Sequence, residues 1–325
     1  AMLLIRPLLD VNEKRKYKVH TVLFFIALVA NCGGLLSPLG DPPLFMLYLR
    51  GASFTWFLNM LPEWLFTGGL LLLIYYICDR FYFSKKEDPS AFELPEHRQP
   101  LRFQGKRNFW YLGGVILAVA FINPSFIPQM GADDAKFWIK FLREFVLLAL
   151  MGVSIYTTPH GLNKFSWSPI LEVAALFLGI FVTMTPALIY MQENAARLGV
   201  DQVWEFYFST GALSSFLDNT PTAVAFHSLA SGLPESVAAA QAGVVDGVFN
   251  GVPFVAGIPE LLLKAISIGA VFFGSLTYIG NGPNFMVKSI AESQGIKMPT
   301  FFGYMTKFSL VILLPIYVLL YFIFL

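Results

Sequence analysis

The sequence has little charge and few of the side chains that bind metals. Only 13% of its 325 residues are charged, the net charge is +1, and it holds four histidines and two cysteines. A balanced charge excludes the basic surface that nucleic-acid binding requires. Cys32 and Cys78 lie in apolar sequence, where a cysteine usually packs as a small hydrophobic side chain. We therefore expect no nucleic-acid partner, no disulfide framework, no resident metal and no cofactor.

Apolar residues are in excess. The chain is 56% hydrophobic and 16% aromatic, and its mean hydropathy is +0.63. This composition is too apolar for a soluble domain and predicts an all-α polytopic membrane protein. A lipid-spanning helix needs about 20 apolar residues. The predicted membrane segments are 19–49, 56–83, 109–122, 137–156, 169–191, 206–229, 261–287 and 301–325.

Two of these segments are interrupted, at 31–43 and at 280–284, by residues that break helices. Proline cannot continue a regular helix at these places, and the freed backbone groups cannot face hydrocarbon. A broken helix at membrane depth must therefore line a cavity, as at the central site of secondary transporters. The residues predicted to break these helices are Gly33, Gly34, Pro38, Gly40, Pro42, Pro43, Gly280, Gly282 and Pro283.

A third interruption, from Asp218 to Pro221, divides the segment 206–229. Basic residues collect before the first membrane segment and after the second, which predicts that both of these regions are cytoplasmic. The connection after Leu49 is then on the outer side. With this orientation, Lys288 and Lys297 are cytoplasmic only if 206–258 enters and leaves the membrane on the outer side. We therefore expect a re-entrant hairpin there, with Pro221 as one of its helix-breaking residues.

The first two interruptions are followed by the same parts in the same order: a half-helix, a short connection and a long apolar span. The predicted orientation makes the two units run in opposite directions, as in transporters built from inverted repeats. We expect 1–83 to be the C-terminal part of the first repeat, 84–108 a cytoplasmic linker, and 109–325 the second repeat. Because few apolar residues precede Arg6, we expect the chain to begin inside a longer protein.

Asp41 and Asp218 are carboxylates in the middle of apolar sequence. A charged side chain inside a membrane is costly and by default marks an ion or proton path. Burial favours a protonated carboxyl and a bound cation favours an ionised one, so protons and cations compete for such a group. For either aspartate alone the other interpretation is a helix cap, since aspartate and asparagine commonly cap helix N-termini.

Amide and hydroxyl side chains accompany both aspartates in the sequence. Hard cations such as sodium prefer oxygen ligands of this kind. Besides the two aspartates, the residues expected to bind a cation or protons are Asn31, Ser37, Asn219, Thr220, Asn281 and Asn284. His227 lies two turns beyond Asp218 and can relay protons, although a lone helical histidine is more often packed.

The first interruption resembles a signature of the NhaD-type sodium–proton antiporters, members of an ion transporter superfamily that also holds arsenite, citrate and dicarboxylate carriers. It reads Asn31-Cys32-Gly33-Gly34-Leu35-Leu36-Ser37-Pro38-Leu39-Gly40-Asp41. The stretches 217–222 and 279–284 look like that family's second-repeat signature and second broken helix. The resemblance implies a homodimer in the bacterial cytoplasmic membrane. It also implies ligation of a cation or protons by Asn31, Asp41, Asp218 and Asn219, supported by Asn281 and Asn284.

The preferred function is exchange of sodium or lithium for protons at a midplane site between the broken helices, with the lipid bilayer as surroundings. The alternative is sodium-coupled symport of citrate or dicarboxylates. Such carriers usually have Ser-Asn-Thr where this chain has Asp218-Asn219-Thr220, and the aspartate favours antiport. An intramembrane aspartyl protease also needs two membrane aspartates, but its Gly-x-Gly-Asp motif differs from Leu39-Gly40-Asp41. We therefore expect a transporter and not an enzyme.

Overall fold

The computed structural model describes residues 1–92, 105–124, 126–132, 134–158 and 167–325. Residues 93–104 of the predicted linker lie outside the described residues. The chain divides into two compact units. One comprises Ala1–Ala52, Trp56–Arg98 and Val182–Leu325, and the other comprises Ser53–Thr55 and Gln99–Phe181.

The described chain is mainly helical, as predicted, with one small antiparallel sheet. The strands are β1 (Gly247–Phe249), β2 (Val252–Val255) and β3 (Ile258–Pro259). The helices are α1 (Met2–Val11), α2 (Val19–Phe25), α3 (Pro42–Leu49), α4 (Leu61–Ile77), α5 (Arg107–Phe121), α6 (Phe137–Lys140), α7 (Leu142–Thr157), α8 (Ser168–Glu193), α9 (Ala195–Leu198), α10 (Val203–Phe216), α11 (Asn219–Ser231), α12 (Pro234–Gln241), α13 (Glu260–Phe273), α14 (Gly282–Ser293), α15 (Phe301–Tyr304) and α16 (Leu314–Phe324).

All three predicted helix interruptions are confirmed. Helix α2 continues as a π-helical turn over Ile26–Asn31 and a 3₁₀ turn over Cys32–Gly34, and the chain is irregular until α3 begins. Helix α13 likewise ends in a 3₁₀ turn over Gly274–Leu276, and the chain is irregular until α14. The third interruption is shorter, because only Leu217 and Asp218 separate α10 from α11.

Four of the prolines lie in the first turn of a half-helix, whereas Pro38 lies in the irregular stretch before α3. Pro42 and Pro43 lie in the first turn of α3, Pro221 lies in the first turn of α11, and Pro283 follows Gly282 at the start of α14. The first turn of a helix has amide groups without intrahelical partners, so a residue without an N–H costs nothing there. Pro42, Pro43, Pro221, Gly282 and Pro283 thus lie where the half-helices begin after each interruption.

Two continuous helical stretches are long and apolar enough to cross a membrane by length and composition, Trp56–Lys86 and Phe301–Phe324. Each contains a π-helical segment, Cys78–Phe83 in the first and Met305–Leu313 in the second. Two shorter apolar helices, Val19–Gly34 and Arg107–Phe121, were also found. These findings refer to the part of the chain that the structure describes.

Helices α10 and α13 form the centre of the first unit and pack closely on each other. A Cβ atom at Gly269 would lie 2.8 Å from the carbonyl oxygen of Tyr207 on α10. The hydroxyls of Ser214 and Ser215 donate to the carbonyls of Ala270 and Phe273, at 2.6 and 3.1 Å. Small residues and hydroxyl contacts of this kind are what brings helices together inside membranes, where apolar burial offers little driving force.

In the second unit, α5 packs on α7. The hydroxyl of Tyr111 contacts that of Thr157 at 2.8 Å, and Ser154 donates to Asn108 at 3.1 Å. The Gly114 position is tight, because a Cβ atom there would lie 3.2 Å from the Leu150 side chain. Polar contacts and a small residue thus join these two helices as well.

Strands β1 and β2 fall inside the predicted re-entrant segment 206–258, and β3 begins at its last residue, although no strand is predicted there. Strand β1 pairs with β2 so that Gly247 faces Phe254 and Phe249 faces Val252. Asn250 and Gly251 form the turn, both with positive φ, at 49° and 83°. An Asn-Gly pair tolerates this conformation and is a strong hairpin signal, so the sequence held the information needed to predict this turn.

Candidate functional site

The irregular stretches after α2 and α13 are shaped by pairs of glycines with the same spacing. Gly34 and Gly40 lie six positions apart, as do Gly274 and Gly280. A Cβ atom at Gly34 would lie 2.9 Å from the Gly40 carbonyl oxygen, and one at Gly280 would lie 2.6 Å from the Gly274 carbonyl oxygen. In both places the chain turns back on itself so closely that only glycine fits.

Asp41 and Asn281 directly follow the second glycine of each pair and precede α3 and α14. Their backbones have nearly the same conformation, with φ −148° and ψ 138° at Asp41 and φ −150° and ψ 133° at Asn281. Neither side chain caps the helix that it precedes. Both side chains are therefore free for contacts across the interruption, although either residue type is a common helix cap.

The Asp41 carboxylate is buried, with 4% of the residue exposed, and it contacts the amide of Asn219. The Asn219 Nδ2 atom lies 3.2 Å from one carboxylate oxygen and 3.4 Å from the other. Asp41 forms no ion pair with a basic side chain among the described residues. A buried carboxylate without a counter-charge is costly in its ionised form, and a bound cation or proton would remove that cost.

Three asparagines form a connected hydrogen-bond network between the first and second interruptions. Asn31 and Asn284 are fully buried, and Asn31 Nδ2 donates to Asn284 Oδ1 at 2.8 Å and to the Ile26 carbonyl at 2.8 Å. Asn281 Nδ2 donates to Asn31 Oδ1 at 3.2 Å. Asn284 Nδ2 in turn donates to the carbonyls of Gly274 and Thr277 at 2.8 and 2.9 Å. The network ties the two interrupted helices together.

Asn281 connects this network to the carboxylate, because its side chain also interacts with Asp41. Its Oδ1 atom accepts no hydrogen bond from the described residues, unlike the Oδ1 atoms of Asn31 and Asn284. The Asn281 side chain thus contacts the Asp41 carboxylate, and its amide oxygen is of the kind that hard cations prefer as a ligand. Helices α3, α11 and α14 all begin around these side chains.

Three other predicted site residues lie at the edge of this cluster. Asp218 is exposed, and its carboxylate accepts the Thr220 amide at 2.9 Å as the N-cap of α11. The Thr220 hydroxyl is buried and points back to Asn219 Oδ1 at 3.4 Å. Ser37 is half-buried, and its side chain forms no hydrogen bond within the described residues. The structure thus brings together Asn31, Asp41, Asn219, Asn281 and Asn284, while Asp218 adopts the capping role.

Thr277 stabilises the second interruption and was missed in the sequence. Its hydroxyl accepts the amides of Ile279 and Gly280, at 3.2 and 3.1 Å, and donates to the Ser215 carbonyl on α10. This threonine lies between the paired glycines, in a stretch whose backbone groups have no helical partners. A threonine or serine three residues before a glycine is a common pattern, so the sequence alone does not predict these hydrogen bonds of Thr277.

Further polar contacts join distant parts of the first unit at three places. Glu63 on α4 is 1% exposed and pairs with Lys264 on α13. Trp56 Nε1 donates to Glu260, one turn before Lys264, at 2.8 Å. His227 uses both ring nitrogens, with Nε2 3.2 Å from the Ala256 carbonyl and Nδ1 3.3 Å from Arg50. The histidine is therefore packed, which agrees with the sequence analysis, where packing was the more common role for a lone helical histidine.

Comparison with known proteins gives a family match. A family model described as "Putative citrate transport" matches residues 1–325, and so covers all three interruptions. No curated protein and no solved structure matches the chain.

Proposed function

This chain belongs to that citrate transport family, and we propose that it is a secondary carrier which couples movement of a citrate-type polycarboxylate to a monovalent cation or a proton. The observation that carries the proposal is the buried Asp41 carboxylate at the junction of the interrupted helices, which lacks a basic partner among the described residues. Asp41 is the coupling site, with Asn219 and Asn281 beside it.

Charge balance explains why an anion carrier benefits from this arrangement. An ionised Asp41 repels a carboxylate that approaches it, because like charges repel each other strongly where water is scarce. A bound cation or proton neutralises Asp41 and removes this repulsion. The anion then binds well only to the ion-loaded carrier, which is the thermodynamic condition for coupled transport.

The three half-helices supply a second element for anion binding. Helices α3, α11 and α14 begin around Asp41, Asn219 and Asn281. The N-terminal end of a helix carries a partial positive charge, and discontinuous helices in transporters direct such ends at anionic substrates. Pro42, Pro43 and Pro283 supply no amide donors. The attraction in α3 and α14 therefore comes mainly from the dipole and from the remaining amides.

An inverted repeat belongs to this proposal. It is supported by the matched glycine pairs and by the shared backbone conformation of Asp41 and Asn281. Helix α1 packs on α14 much as α11 packs on α3, so α1 corresponds to the hairpin helix of the other repeat. We also propose the divisions 1–83, 84–108 and 109–325, the bacterial cytoplasmic membrane as the location, and a homodimer as the assembly.

Sodium–proton antiport is the second candidate, and the same carboxylate favours it. Asp41 can hold a cation or a proton without any organic substrate, and competition between the two at one site is sufficient for exchange. Antiport by two aspartates together is less well supported, because Asp218 is exposed and its carboxylate caps α11. Citrate-type transport agrees with the family match as well as with the buried charge of Asp41.

Transport assays in lipid vesicles separate the two candidates. Vesicles that contain the purified protein should accumulate labelled citrate when an inward sodium or proton gradient is imposed, and the D41N variant should not. The D218N variant is the matched control, because asparagine also caps helices well. If vesicles with wild-type protein exchange sodium for protons without citrate and never accumulate citrate, the function is sodium–proton antiport and not citrate transport.

A further inference from the structure

Arg50 lies at the far end of the pair of helices that begins at the candidate site. Helices α3 and α11 pack on each other and start at the contact between Asp41 and Asn219. Arg50 directly follows α3, and Ser228 lies near the end of α11. At about 1.5 Å per helical residue, Arg50 is roughly 13 Å from Asp41 along the helix axis. In the predicted topology this end faces the outer side.

The guanidinium group of Arg50 is held by one of its three nitrogens. Its Nη1 atom donates to the Ser228 hydroxyl at 2.8 Å and lies 3.3 Å from His227 Nδ1. Because a guanidinium can only donate, Nδ1 must be the acceptor, and the histidine proton lies on Nε2, which donates to the Ala256 carbonyl. His227 is therefore neutral, and Arg50 carries the positive charge of this cluster.

That charge is uncompensated within the described residues, since Arg50 forms no ion pair there. The nearby carboxylate of Asp246, which directly precedes β1, does not pair with Arg50. It accepts a hydrogen bond from the Ala256 amide at 3.0 Å. The Nε and Nη2 atoms of Arg50 donate to none of the described residues. These two nitrogens form one edge of the guanidinium, and that edge matches the two oxygens of a carboxylate.

We propose that Arg50 is an accessory anion site, which binds one carboxylate of the transported polycarboxylate before it reaches the helix interruptions. The inference rests on the proposed function. A half-buried guanidinium is stabilised by an anion on its open edge through charge-assisted hydrogen bonds, and its field attracts anions to that end of the helix pair. A lipid phosphate offers the same oxyanion chemistry, so the experiment must separate the two sources.

The test measures citrate uptake by the complete chain in vesicles of uncharged lipid. We expect R50Q to raise the KM for citrate about tenfold, equivalent to about 1.4 kcal/mol, with kcat within about twofold of wild type. R197Q is the matched control, because Arg197 also lies on the predicted outer side but is exposed, and among the described residues its side chain donates to Asn194 alone. Its KM should not change.

Charge rescue separates electrostatics from packing. In a C78S background, R50C should show the raised KM, and a cationic methanethiosulfonate reagent should lower it again while an anionic one should not. Wild-type protein gives an independent measurement: citrate should slow modification of Arg50 by phenylglyoxal, read by mass spectrometry, and acetate should do so far less.

Several outcomes overturn the inference. One is an unchanged KM in R50Q, another is equal rescue by both reagents, and a third is phenylglyoxal labelling that citrate does not slow. A difference between wild type and R50Q that appears only with anionic lipid assigns Arg50 to a headgroup. In each of these cases wild-type uptake of citrate persists. Failure of wild-type protein to take up citrate contradicts the proposed function itself.

Discussion

Asp41 and Asn281 occupy matching positions, each between a glycine and a half-helix, in the same extended conformation and with side chains that interact. One position carries a charge and the other is neutral. The neutral member is hydrogen-bonded into the asparagine network, whereas the charged member contacts the Asn219 amide without a basic partner among the described residues. This asymmetry concentrates the site's charge on Asp41.

The two aspartates should therefore differ in their response to the same substitution. D41N removes the buried charge, and we expect citrate uptake by vesicles to fall to background while the protein remains folded in the membrane. D218N keeps a side chain that can cap α11, so its uptake should stay within about threefold of wild type. Comparable loss in both variants would show that Asp218 also binds the ion.

The asparagine network should matter for stability as well as for transport. N31A removes one hydrogen bond from each of two buried side-chain amides, those of Asn281 and Asn284. Each buried group left without a partner costs about 1–3 kcal/mol of folding free energy. We expect a lower melting temperature of the purified protein in detergent. N194A provides the control, because the Asn194 amide bonds a carbonyl on an exposed surface. Equal melting temperatures for N31A and wild type would contradict the network's role.

The close approach of the backbone at the paired glycines predicts that the effect of a glycine-to-alanine substitution depends strongly on its position. G280A places a methyl group against the carbonyls of Gly274 and Ser214, at 2.6 and 2.7 Å before relaxation, and overpacking of this kind typically costs about 1–3 kcal/mol. G282A lies two residues later, where a Cβ atom meets nothing within 4 Å. We expect G280A to lose uptake and thermal stability and G282A to retain both. Greater loss of uptake and thermal stability in G282A than in G280A would contradict the close contact of Gly280 with these carbonyls.

Ion binding at Asp41 should depend on pH. A protonated carboxyl has no charge to offer a cation, so protons and the cation compete. The apparent sodium affinity of the purified protein should therefore rise as the pH rises, and addition of sodium or lithium should release protons. In D41N both effects should disappear. Sodium binding that is the same at every pH would show that the carboxylate is not the shared ligand.

Much of the candidate site could be predicted from local sequence. The three interruptions and the residues Asn31, Asp41, Asn219, Asn281 and Asn284 stand out because polar and helix-breaking residues are conspicuous in apolar segments. The repeated spacing of two glycines, followed by an aspartate or asparagine and then by a proline two positions later, is also present in the sequence.

The remaining features depend on contacts between distant residues. Whether an aspartate caps its own helix or crosses to another cannot be read locally, and Asp41 and Asp218 differ in this respect. Arg50 meets Ser228, and Glu63 meets Lys264, only because the chain brings separate helices together. A single sequence gives no signal for such pairs.

The cation dependence of citrate binding tests the central claim most directly. Calorimetric titration of the purified, complete chain with citrate should give an affinity that increases at least tenfold when sodium or proton concentration is raised. D41N should bind citrate with an affinity that neither ion changes. If citrate does not bind to the wild-type protein, or binds to wild type and D41N with the same ion dependence, Asp41 does not couple an ion to a polycarboxylate.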